Sequence, residues 1–124
     1  DSNKTKTVTI LGTPSYMSPE QLSGKHVDGR SDLFSLGVMA FQMLSGELPF
    51  QGDSMAALMF QIANEPHPKI RTINPKLPPE LEKFFDKALC KDPDQRFSTG
   101  KEFSNGLRTS LAAAKKRREA KSAS

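Results

Sequence analysis

Gly12-Thr-Pro-Ser-Tyr-Met-Ser-Pro-Glu-Gln21 is the stretch on which the reading of this chain turns. It packs hydroxyls at Thr13, Ser15, Tyr16 and Ser18, two prolines and one carboxylate into ten residues. Ser18 followed by Pro19 has the form of a helix N-cap with proline at the first helical position, so a short helix is predicted over residues 17–22. Upstream, residues 1–16 are polar and Thr-rich and are bounded by Gly12 and Pro14, which predicts an extended or loop segment. A carboxylate at Glu20, inside so short a helix, needs a partner that local sequence does not supply.

Beyond the loop at 24–29, Ser31 is the expected cap of a strongly apolar helix that carries Leu33, Phe34, Leu36, Val38, Met39, Phe41, Met43 and Leu44 and ends at Gly46. Apolar residues surround most of its circumference, so it is predicted to run through the middle of the domain as a hub. Ser54 or Asp53 opens the next helix, where Met55, Leu58, Met59 and Ile62 recur at helical spacing until Pro66. Residues 65–79 are Pro-rich and read as a loop. Leu81, Phe84, Phe85, Ala88 and Leu89 mark an amphipathic helix started by Pro79 and ended near Asp92 and Pro93. Thr99 and Glu102 form a Thr-x-x-Glu capping box for a last helix with Phe103, Leu107 and Leu111 on one face. No strand pattern competes, and the expected class is mostly α.

Composition narrows the function. The 124 residues are 35% hydrophobic and 26% charged, which suits one globular unit. No apolar run approaches the ~20 residues that span a bilayer, and the first residues are not a signal peptide, so a cytoplasmic segment is expected. The chain opens at Asp1 without an initiator Met, as a piece of a longer protein would. Cys90 is the only cysteine, which excludes an intrachain disulfide and a Cys cluster for zinc, and its apolar neighbours predict a packed thiol. His26 and His67 lie in loop-like surroundings with no second ligand at useful spacing; metal binding is rejected and exposed histidines are expected. Lys115, Lys116, Arg117, Arg118 and Lys121 against Glu119 account for the whole formal charge of +4. A basic end on a neutral body reads first as a solvated end or linker and second as a contact with anionic lipid; nucleic-acid binding is not expected.

Three ordered blocks, Gly12-Thr-Pro-Ser-Tyr-Met-Ser-Pro-Glu20, Asp32-Leu-Phe-Ser-Leu-Gly37 and Asp92-Pro-Asp-Gln-Arg96, resemble the second half of a protein-kinase catalytic domain. The Ser-Pro-Glu-Gln and Ser-Asp-Leu-Phe-Ser-Leu-Gly wording and the Gly46-Glu-Leu-Pro-Phe50 turn are similar to bacterial members of the eukaryotic-like Ser/Thr kinase family. The resemblance covers residues 5–111 and implies the lower helical part of the kinase C-terminal lobe, preceded by an activation-segment loop. Residues 1–22 then correspond to the end of the activation segment and the substrate platform, 23–111 to the helical subdomain and 112–124 to a basic tail.

The resemblance also implies roles. Thr5 and Thr7, with Thr9 beside them, fall where the family carries activating phosphates; each phosphate would add about −1.5 to −2 charge and order a loop through Arg partners. The alternative is a solvated Thr-rich loop. Gly12, Thr13, Pro14 and Tyr16 correspond to the platform that holds an acceptor peptide, and Thr13 to the threonine that organises the catalytic residues and favours Ser/Thr acceptors; without those residues, Thr13 could equally only shape a turn. Glu20 and Arg96 resemble the family's long-range ion pair, against the reading of two separate surface charges. Asp32 matches a residue at the start of the hub helix that accepts hydrogen bonds from the catalytic loop, or is an ordinary helix-dipole partner. Gly37 would permit a close approach in the core. Phe34 stands where Trp or Tyr is frequent, and Ser18 where Ala is frequent.

Phosphoryl transfer requires a Gly-rich phosphate cover, a nucleotide-binding Lys, a catalytic-loop Asp and Asn, and an Asp-Phe-Gly metal site, none of which occurs in these residues. The resemblance therefore implies that a complete kinase uses Mg-ATP and protein substrates, while this chain alone lacks the N-lobe and catalytic loop, binds no cofactor and is inactive. The complete protein could be tethered to a membrane. The competing reading is a noncatalytic helical module that binds a partner, or associates with or swaps elements with a second copy, through the surface normally covered by the missing half.

Overall fold

The computed structural model describes residues 13–123, with Thr13 and Pro14 described by their backbone alone. Among the described residues the regular structure is entirely helical: a 3-10 turn (Thr13–Tyr16), α1 (Pro19–Ser23), α2 (Gly29–Ser45), α3 (Met55–Asn64), α4 (Ile70–Ile73), α5 (Glu80–Ala88), a 3-10 turn (Pro93–Gln95) and α6 (Gly100–Ala123). The mostly α class is the one expected.

Most helix ends follow local chemistry. Ser18 caps α1, its hydroxyl accepting from Gln21 N–H while the Gln21 side chain accepts from the Ser18 N–H, and Pro19 fills the first position. Ser54 caps α3 through Ala57 N–H. At α6, Thr99 Oγ1 accepts from Glu102 N–H, but the Glu102 carboxylate takes the N–H of Ser98, one residue before the one a capping box uses. Gly24 and Gly46 end α1 and α2 at φ 72° and 85°, the left-handed region that glycine enters without steric cost.

The cap of α2 differs from the one expected. Asp28, not Ser31, accepts the first-turn N–H, from Arg30, and α2 begins at Gly29. The Arg30 side chain also bonds the Asp28 carboxylate, and these bonds hold it down at about pKa 2. Ser31 is buried within the first turn and its hydroxyl is committed elsewhere. Inside the predicted loop 65–79, Ile70–Ile73 forms a single helical turn because Ile70 is buried in the core and anchors it.

α2 has three faces. Phe34, Gly37, Val38 and Phe41 point into the core. A Cβ on Gly37 would lie 3.1 Å from Leu89 Cδ2 and 3.3 Å from Ala88 Cβ, so its bareness lets α2 and the end of α5 approach closely. From Phe41 an edge-to-face series continues through Phe85 and Phe84 in α5 to Phe103 in α6, with centroids 5.0–5.3 Å apart. A second face carries Ser31, Ser35 and Gln42. The third carries Asp32, Leu36, Met39 and Met43, all exposed, with Met43 at 83%. The hub expectation therefore holds for two of the three faces, because nothing among the described residues covers the third.

The last helix runs past Leu111, which is exposed, through Ala114, which is fully buried, to Ala123. The basic end is not a separate linker in its first turns: Arg117 Nε donates to Glu80 Oε2 at 2.7 Å and ties it to the start of α5. His67 corrects a further expectation. Its ring is largely buried against Phe41, with Nε2 3.1 Å from Asp86 Oδ1 and Nδ1 2.8 Å from the Pro68 carbonyl, whereas His26 is exposed. Cys90 is half-buried. No described helix is long and apolar enough to cross a membrane.

Candidate functional site

Glu20 in α1 and Arg96, just after the second 3-10 turn, meet in the interior. Arg96 donates from Nη1 to Glu20 Oε2 and from Nη2 to Glu20 Oε1, each at 2.7 Å, so the planar guanidinium holds both carboxylate oxygens. Its other donors reach the carbonyls of Cys90 at 2.6 Å, Lys91 at 3.1 Å and Arg30 at 3.2 Å. All five N–H groups of the side chain are thereby used, which a three-donor lysine ammonium could not reproduce. Ser31 adds a hydroxyl donated to Glu20 Oε2 at 2.6 Å. Burial by itself would raise the Glu20 pKa; the Arg96 and Ser31 hydrogen bonds outweigh it and hold the carboxyl at about 2.

Two rings bed this centre. The Arg96 guanidinium lies 4.8 Å from the Phe34 centroid, and Phe34 stacks on Phe50 at 6.0 Å. Lys91 Nζ sits 3.8 Å from the Phe50 centroid and donates to the Gln61 carbonyl in the last turn of α3, where a cation complements the helix dipole. Burial, with the Arg96 charge adding to it, brings the Lys91 ammonium down to about 8. One loop, 90–96, thus joins α1, α2 and α3.

The segment leading into α1 is fastened to the second face of α2. Ser35 Oγ donates to the Tyr16 carbonyl, and the Tyr16 hydroxyl donates to Gln42 Oε1 at 2.5 Å. Ser35 and Gln42 are the residues that sequence reasoning missed, and Ser31 the one to which it gave a capping role in place of this one. Their signal was available: isolated polar side chains at i, i+4 and i+11 in an otherwise apolar helix share one face.

Thr5, Thr7 and Gly12 lie outside the described residues. Thr13 and Pro14 fall within the first 3-10 turn, and Tyr16 is half-buried against α2. Glu20 and Arg96 are brought together. Asp32, in the first turn of α2, is exposed at one end of the uncovered apolar face. Gly37 is buried against α5 and its C-terminal end. The chain carries no Gly-rich phosphate loop, and among the described residues no group of three or more His, Cys, Asp or Glu side chains is placed to hold a metal ion.

A bundle in which a hydroxyl-rich entry segment, a central apolar helix and a late Asp-Pro-x-x-Arg loop are locked by one buried ion pair is the helical part of a kinase C-terminal lobe. Residues 1–107 match the protein kinase domain, and the chain belongs to that family. It is 42% identical over 103 residues to serine/threonine-protein kinase Pkn1 of Myxococcus xanthus, covering 83% of this chain and 15% of that protein. Serine/threonine-protein kinase PksC of Streptomyces coelicolor is 43% identical over 88 residues (71% of this chain, 16% of that protein), and PknB of Mycolicibacterium smegmatis 43% over 99 residues (79% and 16%). The chain thus spans about a sixth of the length of these bacterial relatives.

Proposed function

We propose that this chain serves, within a bacterial Ser/Thr protein kinase, as the end of the activation segment (1–22), the helical subdomain (23–111) and a basic tail (112–124). The complete enzyme transfers the γ-phosphoryl of Mg-ATP to Ser or Thr of protein substrates. In this reading Gly12, Thr13, Pro14 and Tyr16 form the platform for the acceptor peptide. Thr13 sits next to the reacting hydroxyl and favours Ser/Thr acceptors, and phosphates on Thr5 and Thr7 order the loop ahead of it. Asp32 and the bare face of α2 receive the catalytic loop and its supporting helix. The single observation that carries this reading is the buried bidentate Glu20–Arg96 pair, which fixes the entry segment to the core across 76 positions of sequence.

The test compares the full-length protein with residues 1–124. Incubated with Mg-ATP and a Ser/Thr peptide, the full-length protein phosphorylates the peptide and carries phosphate at Thr5 and Thr7 by mass spectrometry, and Thr13→Ala strongly reduces transfer. The 124-residue chain gives no turnover. Transfer by that chain, free of contaminating kinase, or phosphate confined to the tail, overturns the respective part of the proposal.

A further inference from the structure

We infer that Lys91 is an acylation site: its amine takes the acetyl group of an acyl phosphate, and the modification loosens the C-terminal end of α3 from the loop 90–96. The ammonium is held by less than water would give it. Nζ donates to the Gln61 carbonyl at 3.2 Å and stands 3.8 Å from the Phe50 centroid, and it forms no ion pair with a carboxylate among the described residues. An ammonium has three donors, and a desolvated one without a counter-ion gives up its proton readily. The groups around it are Arg96, whose Nη2 donates to the Lys91 carbonyl, the Cys90 thiol and the Glu65 carboxylate just beyond α3; Glu20, on α1, is held by Arg96. Burial first and the Arg96 charge second bring Lys91 down to about 8, outweighing Cys90 and Glu65. At pH 7.5 about a quarter of such amines carry a free lone pair, against about a thousandth for an ordinary lysine.

The amine can also be reached. Lys91 is half-buried, and with Lys25, Arg30, Asp92 and Asp94 it lines an open cleft of about 580 Å³. Asp94 is paired with Arg30, and Asp92 caps the second 3-10 turn, which leaves the exposed Lys25 as a cation for the phosphate end of a small donor. The Lys91 lone pair attacks the acyl carbon, the C–N bond forms, the bond from that carbon to the phosphate oxygen breaks, and hydrogen phosphate leaves with the amine proton. The leaving group thus takes the proton, and no side-chain base is required. The product amide keeps one N–H for the Gln61 carbonyl but brings no charge to the Phe50 ring or to the end of the α3 dipole, and it adds bulk where Nζ already lies against that ring. α3 is held to the loop 90–96 more weakly as a result.

The full-length protein is incubated with acetyl phosphate, and acetylation at each lysine is followed by mass spectrometry. At pH 7.5 Lys91 reacts about tenfold faster than the exposed Lys76 and Lys101, and its rate levels off above about pH 9, where an ordinary lysine is still gaining free amine. In urea-unfolded protein the three rates agree within about twofold. Amide hydrogen exchange over residues 58–64 becomes several-fold faster in the acetylated protein and is unchanged in Lys91→Arg treated in the same way. A Lys91 rate no higher than that of Lys76 and Lys101, or a preference that survives unfolding, disproves the site. Faster labelling by acetyl-coenzyme A than by acetyl phosphate at equal concentration overturns the choice of donor, and unchanged exchange in the acetylated wild type overturns the loosening of α3.

Discussion

Glu20–Arg96 and Glu80–Arg117 both bring a carboxylate oxygen within 2.7 Å of a guanidinium nitrogen, and both join residues far apart in sequence. Their surroundings separate them. The Arg96 and Glu20 side chains are 1% and 5% exposed, whereas those of Arg117 and Glu80 are 44% and 20% exposed. Water competes for the second pair and salt screens it. The first is cut off from both, so its ions are tolerable only while each is matched, and Arg96 is matched at every donor. Distance alone says nothing about what such a pair does for the fold; the number of satisfied partners and the access of water decide it.

The largest effect should come from breaking the buried pair on one side. Glu20→Ala or Arg96→Ala is expected to destabilise the chain by about 3–5 kcal/mol in urea denaturation, much of it from the charge left without its partner. The double variant should lose less than the sum of the two, because it leaves no orphan ion. An unchanged midpoint in Glu20→Ala would remove the buried pair from any account of this fold.

Acid should follow the same logic. The Glu20 carboxyl lies below its ordinary value in the folded chain, so its contribution is fully present above about pH 4.5 and is lost as pH falls towards about 2. Glu20→Ala should flatten that part of the stability–pH curve, which denaturation across the range would show; a curve of the same slope in the variant would assign the acid loss to other groups. Ser31→Ala is expected to cost less, about 1–2 kcal/mol, since Arg96 still bonds both Glu20 oxygens when the hydroxyl is gone. The smallest effect belongs to Arg117→Ala: a slight drop in thermal midpoint at low salt that disappears at high salt. A salt-resistant loss there would mean that the exposed pair behaves like the buried one.

Much of the fold was legible in particular residues. Ser18-Pro19, Ser54, Thr99 with Glu102, and Gly46 mark helix ends through bonds to neighbours within four positions, and the periodic apolar residues of α3 and α5 need nothing more distant. The three motif blocks also placed Glu20 and Arg96 on the page as partners. Other features escaped. Ser31 has the chemistry of a cap, but Glu20 claims its hydroxyl and leaves the capping to Asp28. His67 looks like an exposed residue until Phe41 and Asp86 close on it. The Ala-rich basic end looks like a linker until Arg117 meets Glu80. Gln42 is one polar residue among many until Tyr16 reaches it.

The sequence by itself therefore determined the helical class, the order of the helices and the family, because capping, periodicity and motif wording are written in short stretches. The tertiary structure decided which face of α2 is core, which is fastened to the entry segment and which stands bare, and what each charged group is worth. Those outcomes depend on residues 11, 26 and 76 positions apart coming within hydrogen-bonding distance and on whether water is excluded where they meet. No local pattern carries that information, since the same side chain is a cap, a buried donor or a solvated charge according to what the rest of the chain brings beside it.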